Sequence, residues 1–290
     1  MADHKPLLAI ALMVASTAFL AAKDGLGKSF LDQVGPVHMI WFQYVGNFAV
    51  MALIAAPRHG WLVVRPKPLG WQFLRGAVSA AAVSTLYWSL TYIPLADATA
   101  MFMLSPVVVA LLSPLLIGEK LDLPRKLAIG VGFCGVLLVL KPGMGGDAGG
   151  YYIGLLAGLL MGLYFIANRK LAASSPPVLN VTHNALMGGI ALSLFLPLFW
   201  ETPPAAALPK LAGLIVLAVI GQALMISAFM FAPASTIAPF TYGMLVFAAI
   251  IGYLAFGTFP DAVTWAGMAL IVAAGLYIAH HERQLAAAKG

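Results

Sequence analysis

The sequence predicts an all-α integral membrane protein of ten transmembrane helices, arranged as two inverted five-helix repeats. Three observations carry that prediction. Hydrophobic residues make up 62% of the 290 residues, charged residues only 9%, and mean hydropathy is +0.95. A soluble domain carries roughly 25% charged residues, so this chain has too little polar surface to cover a globule of its size in water. The apolar residues fall in continuous runs, most of them near the ~20 residues that span hydrocarbon, with none of the period-two alternation of a barrel. The plan of these runs occurs twice.

The runs lie at 6–22, 37–57, 70–90, 98–117, 126–140, 151–167, 178–199, 211–231, 237–256 and 262–280. The first ends in Ala21-Ala22, like a signal-peptide cleavage site, but Asp3 offsets Lys5 before it and nine more runs follow. A retained helix is expected. The second carries Trp41, Gln43, Tyr44 and Asn47; the third ends in Tyr87-Trp88, aromatic residues suited to the interfacial belt. The fourth contains Pro106 and Pro114, each expected to free a carbonyl and kink the helix. The fifth is the shortest. Gly154, Gly158 and Gly162 give the sixth a small-residue ridge for close helix packing. The seventh opens with Thr182, His183 and Asn184, and the eighth holds Gln222 near its middle.

Basic residues give an orientation. With the N-terminus inside, Lys5, Arg58, Arg65, Lys67, Arg75, Lys120, Arg125, Lys126, Arg169, Lys170, Arg283 and Lys289 are cytoplasmic. Only Lys23, Lys28, Lys141 and Lys210 are outside. Twelve against four satisfies the positive-inside rule and puts both termini in the cytoplasm. The net charge of +6 therefore implies no nucleic-acid partner. Cys134 is the single cysteine, which excludes an intrachain disulfide.

The duplication is visible in two motifs. Gly118-Glu119-Lys120-Leu121-Asp122 and Gly257-Thr258-Phe259-Pro260-Asp261 lie 139 residues apart, each after an apolar run. Pro94-Leu95-Ala96-Asp97-Ala98 and Pro233-Ala234-Ser235-Thr236-Ile237 introduce those runs. The Gly-rich connector at 141–150 separates the copies, dividing the chain at 1–145 and 146–290. Five runs per copy is an odd number, so the second copy must insert upside down. An inverted pair is a known basis of alternating access, with the solute bound between the halves.

The stretch Leu90-Thr91-Tyr92-Ile93-Pro94-Leu95-Ala96-Asp97-Ala98, then Ser105-Pro106, then Gly118-Glu119-Lys120, resembles the EamA repeat of the drug/metabolite transporter superfamily. Ala232–Tyr242, then Phe256-Gly257 and Pro260-Asp261, form the second copy. The resemblance covers nearly the whole chain. It implies a ten-helix inner-membrane carrier with a central cavity, for solutes such as amino acids, nucleotide-like metabolites, riboflavin or S-adenosylmethionine. Two positions depart from the family pattern. Gln43 stands where many members have a basic residue in the second span, and Thr258 stands where Glu is common.

Polar side chains at membrane depth are costly, so they mark candidate sites. Gln43 and Asn47 are four residues apart and share a helix face. They either bind a polar solute or bridge helices, and the spacing fits both. Met101, Gln222 and Tyr242 complete the expected solute site. Met101 is equally suited to plain packing, whereas a mid-span Gln222 must face protein or cavity. His183 and Asp97 are the candidates for proton coupling; a neutral His183 bonded to a backbone carbonyl is the alternative. No carboxylate sits in the middle of an apolar run, which favours uniport or exchange.

No cofactor or metal is expected. Gly143–Gly150 lacks the Gly-Lys-Ser/Thr of a phosphate loop and reads as a linker. A membrane enzyme acting on lipid or isoprenoid would cluster Asp, Glu or His at one membrane face, and no such cluster is found. The expectation is a non-enzymatic secondary transporter, monomeric or homodimeric, moving a small organic metabolite or drug-like solute across the bacterial inner membrane. Import of an aromatic vitamin such as riboflavin is the alternative.

Overall fold

A computed structural model describes residues 6–116, 123–140, 148–171, 174–198, 200–232 and 237–287. The first closing motif (118–122), most of the second entry motif (233–236) and most of the connector (141–147) lie outside these residues. The described residues are helical, without strands. In order, the helices are α1 (Pro6–Lys28), α2 (Pro36–His59), α3 (Leu69–Leu90), α4 (Leu95–Phe102), α5 (Ser105–Leu116), α6 (Leu123–Leu140), α7 (Ala148–Leu171), α8 (Pro177–Phe195), α9 (Leu208–Phe231), α10 (Gly243–Phe256) and α11 (Ala262–Ala287).

Proline and glycine set several ends. Pro36 and Pro177 open α2 and α8, where a missing N–H costs nothing. Gly257 closes α10 with φ +66°, a left-handed conformation that suits glycine. The fourth expected span is two helices, because Pro106 has no N–H to donate to the Phe102 carbonyl. The chain turns at Met103 and Leu104 instead.

Among the described residues, eight segments are long and apolar enough to cross a bilayer, with α4 and the start of α5 counted as one. Two expected spans fall short of that standard. The apolar part of α6, Lys126–Leu140, is shorter, and α3 has 22 residues but carries Gln72, Arg75 and several serines.

The helices pack as reciprocal pairs. α1 runs antiparallel along α9: Ser16 donates to the Gly221 carbonyl at 2.7 Å, and Leu26 lies against Gly213. α3 runs antiparallel along α7 in the same manner, from Ile93 against Gly150 to Arg75 against Asn168. Thus α1 lies along α9, and α7 lies along α3. α6 pairs with α11, where Gly135 and Gly267 each press on the other's carbonyl oxygen. The largest buried cluster joins both halves, from Phe30, Tyr44 and Leu86 to Leu192, Leu214 and Ala248.

The glycine ridge of α7 receives the broken helix. A side chain on Gly158 would strike the Met101 carbonyl, and one on Gly162 would strike Val108. The break at Met103-Leu104 lies between these contacts. Below, the end of the bundle with Lys28, Pro36 and Leu90 is called upper, and the end with His59, Leu69 and Leu171 lower.

Candidate functional site

Three polar groupings lie inside the bundle. The first is the amide face of α2. With about 100° of turn per residue, Gln43 and Asn47 occupy the arc between Gly46 and Tyr44. Gly46 meets Ile215 of α9, while Tyr44 bonds Ser79 of α3 at 2.7 Å and packs on Gly188 of α8. The two amides therefore face the interior, where α2 passes between α9 and α8. They are only 6% and 4% exposed, and among the described residues Gln43 Oε1 and Asn47 Oδ1 have no hydrogen-bond partner. Gln222 Oε1 is also buried and unpartnered. It lies two turns along α9 from Ile215, on the side that Ile215 turns toward α2.

The other candidates lie elsewhere. Met101 is 0% exposed and packs beneath Gly154 and Gly158. Tyr242 ends a short 3₁₀ turn before α10 and lays its hydroxyl on Gly275 of α11. Both belong to the cluster built on α4, α5, α6, α10 and α11. The five expected solute contacts therefore divide between two regions: amides on α2 and α9, and apolar packing around α4 and α10.

The second grouping is at the upper end. Lys23 corrects the reading of it as an outside loop charge: α1 continues through Lys28, and Lys23 and Asp24 are both buried within it. Lys23 Nζ is 2.6 Å from Asp24 Oδ1. Tyr87 donates to the same oxygen at 2.9 Å, and is 0% exposed rather than part of an interfacial belt. Trp88, its neighbour, is exposed as a belt residue would be. Lys28 Nζ donates to the carbonyls of Leu90 and Ile93 at 2.7 and 2.6 Å, which holds α1 to the end of α3. Asp97 accepts from Tyr151 at 2.6 Å, linking α4 to α7.

The third grouping is a polar seam along α3, α7 and α8, toward the lower end. Gln72 Nε2 donates to Ser174 Oγ at 3.2 Å. Arg75 donates through Nη1 to Asn168 Oδ1 at 3.1 Å and Asn180 Oδ1 at 3.4 Å, and through Nη2 to the Asn180 carbonyl at 2.8 Å. Asn184 Nδ2 donates to Ser79 Oγ at 3.2 Å, and Ser79 connects to Tyr44. His183 Nε2 is 2.8 Å from the Leu62 carbonyl. A carbonyl only accepts, so Nε2 carries the proton there. The position of Arg75 corrects the loop reading: it is wholly buried inside α3 and is not a loop charge. Sequence reasoning missed this seam, although the spacing of Gln72, Arg75 and Ser79 puts them on one helix face.

Fold and interior together define a polytopic helical membrane protein. The chain belongs to the EamA-like transporter family, whose pattern matches it twice, at residues 7–141 and 148–279. It is similar to an uncharacterized transporter of Helicobacter pylori, 25% identical over 286 residues, covering 94% of this chain and 95% of that one. A riboflavin transporter of Vibrio cholerae is 28% identical over 76% of this chain and 74% of its own. An S-adenosylmethionine uptake transporter of Rickettsia felis is 24% identical over 96% and 94%. A solved crystal structure of a protein shares the fold with a TM-score of 0.64 and 19% identity, covering 96% of this chain and 98% of its own.

Proposed function

We propose that the chain is a secondary carrier that moves a small polar organic solute across the bacterial inner membrane by alternating access. Its ten crossings form two inverted halves, with α3 and α6 as the two less apolar or shorter spans. The family pattern found once in each half supports this reading. So does the reciprocal packing of α1 on α9 and α7 on α3, which a twofold relation between the halves would generate.

The observation that carries the binding site is the pair of unpartnered amide oxygens on the interior arc of α2. Buried polar atoms are nearly always hydrogen-bonded, so Gln43 Oε1 and Asn47 Oδ1 are suited to a solute's N–H or O–H groups. Gln222 contributes a third such acceptor from the other half. Met101 and Tyr242 pack among α4, α5, α6, α10 and α11 and act on the site through the helices they brace. Relatives named for riboflavin and S-adenosylmethionine point to heteroaromatic metabolites rich in hydrogen-bonding groups.

The test is counterflow in proteoliposomes holding the purified chain, with labelled riboflavin and labelled S-adenosylmethionine in separate arms. Saturable exchange of one of them, lost in the Gln43→Leu/Asn47→Leu double variant, is expected. Saturable exchange of either solute that the double variant leaves intact would remove the α2 amides from the site.

A further inference from the structure

We propose that Arg75 and the side chains around it form an anion subsite that accepts a carboxylate or phosphate of the transported solute. This rests on the carrier reading above, and adds the charge of the solute. Arg75 is wholly buried, yet all of its hydrogen bonds go to neutral oxygens, those of Asn168 and Asn180. A guanidinium taken out of water is normally held by a carboxylate. Among the described residues no Asp or Glu pairs with Arg75, and its Nε–H has no acceptor.

The surroundings are suited to a visiting anion. The groups around the guanidinium are only partly buried: Asn168, Asn180, Asn184 and Tyr164 each keep some accessible surface. In this proposal Arg75 forms the floor of a crevice between α3, α7 and α8, entered past these partly exposed side chains. Two further atoms in the crevice lack partners, Asn184 Oδ1 and His183 Nδ1. With its proton on Nε2, a neutral His183 presents Nδ1 as a bare acceptor. The crevice therefore offers one positive donor and two neutral acceptors. The matching solute carries an oxyanion with an N–H or O–H close to it. The planar guanidinium fork suits a carboxylate or phosphate better than an ammonium would. The seam also joins α3 of one half to α7 and α8 of the other, so a bound anion would bridge the halves.

The experiment needs no knowledge of the solute. Cys134 is the single native cysteine and is exposed, so Cys134→Ala gives a thiol-free background. In it, Asn184→Cys places one thiol a helical turn along α8 from Asn180, which bonds the guanidinium. The purified full chain, in detergent without lipid phosphate, is labelled with an anionic sulfonatoethyl methanethiosulfonate or a cationic trimethylammonioethyl one. Each rate is taken relative to that of the same reagent with free cysteine.

A cation at the crevice floor concentrates anions, so the anionic reagent should be favoured by about tenfold, and Arg75→Gln should abolish the preference. A ratio at or below one in the Arg75-containing protein would overturn the proposal, whether or not the Arg75→Gln protein folds. So would a thiol that neither reagent reaches, since the seam would then be sealed packing. Phenylacetate and phenyl phosphate serve as competitors. Protection by the first assigns a carboxylate, protection by the second a phosphate, and protection by neither overturns the subsite. Lost selectivity with counterflow intact would remove the anion subsite and leave the carrier reading standing.

Discussion

The Tyr87 hydroxyl donates to Asp24 Oδ1 across 2.9 Å, and both residues are buried where α1 meets α3. The same carboxylate oxygen holds Lys23, so one acceptor serves a phenol and an ammonium. A hydrogen bond to a charged group contributes about 1.5–3 kcal/mol. Tyr87→Phe should therefore lower the midpoint of thermal unfolding in detergent while leaving the protein monodisperse. Lys23→Ala should cost more, about 3–5 kcal/mol, because it leaves a buried carboxylate without its cation. Equal melting of wild type and both variants would show that the cluster adds nothing to stability.

Glycines provide a steric prediction with an internal control. Gly158→Leu drives a side chain into the Met101 carbonyl and should reduce folded yield in the membrane. Gly130 has open space around it, so Gly130→Leu should express at the wild-type level. Fluorescence-detected size exclusion of tagged variants measures both. A folded, monodisperse Gly158→Leu protein would mean that α4 and α7 can part at no cost.

The α2 amides predict a change in affinity without a loss of fold. An unsatisfied partner left by Gln43→Leu or Asn47→Leu costs about 1–3 kcal/mol, a tenfold to hundredfold loss in solute affinity. Half-saturation in counterflow measures it. Wild-type half-saturation in both single variants would make these amides helix-bridging groups.

Orientation is open to a direct check. Reporter fusions after Lys67 and Lys170 should signal cytoplasm, and fusions after Gly146 and Pro204 the outside. Arg75 and Lys23, both buried within helices, drop out of the loop count, which leaves eleven basic residues against three, and the bias stands. Two reversed signals would overturn the orientation.

Exchange should persist when the pH gradient is collapsed at fixed external pH. Among the described carboxylates, Asp24 and Asp97 are engaged by Lys23 and Tyr151 near the upper end. Loss of counterflow on collapse would count against uniport, and parallel loss in His183→Ala would identify that histidine as the coupling group.

The helices were legible because hydrophobic runs and prolines act locally. The break at Met103-Leu104 follows from Pro106 alone, and the glycine spacing of α7 marked it as a packing ridge. The interior was harder to read, because the side a residue faces depends on neighbours distant in sequence. Arg75 lies only six residues into α3, so sequence put it with the loop charges. Only the arrival of Asn168 and Asn180 from the other half puts it in the interior. Tyr87 and Trp88 show the same limit: adjacent aromatics of similar character, one sealed against Asp24 and one facing outward.

The Gly135–Gly267 contact between α6 and α11 has a mechanical meaning. The two backbones touch here, and Leu138, Val139 and Ile271 pack around the crossing. A crossing with its two backbones in contact leaves little distance to change when the angle between the helices changes. In a carrier whose halves rock, it would act as a bearing that holds α6 to α11 while other helix pairs shift. A bulky residue at either glycine would then slow turnover before it altered what is bound.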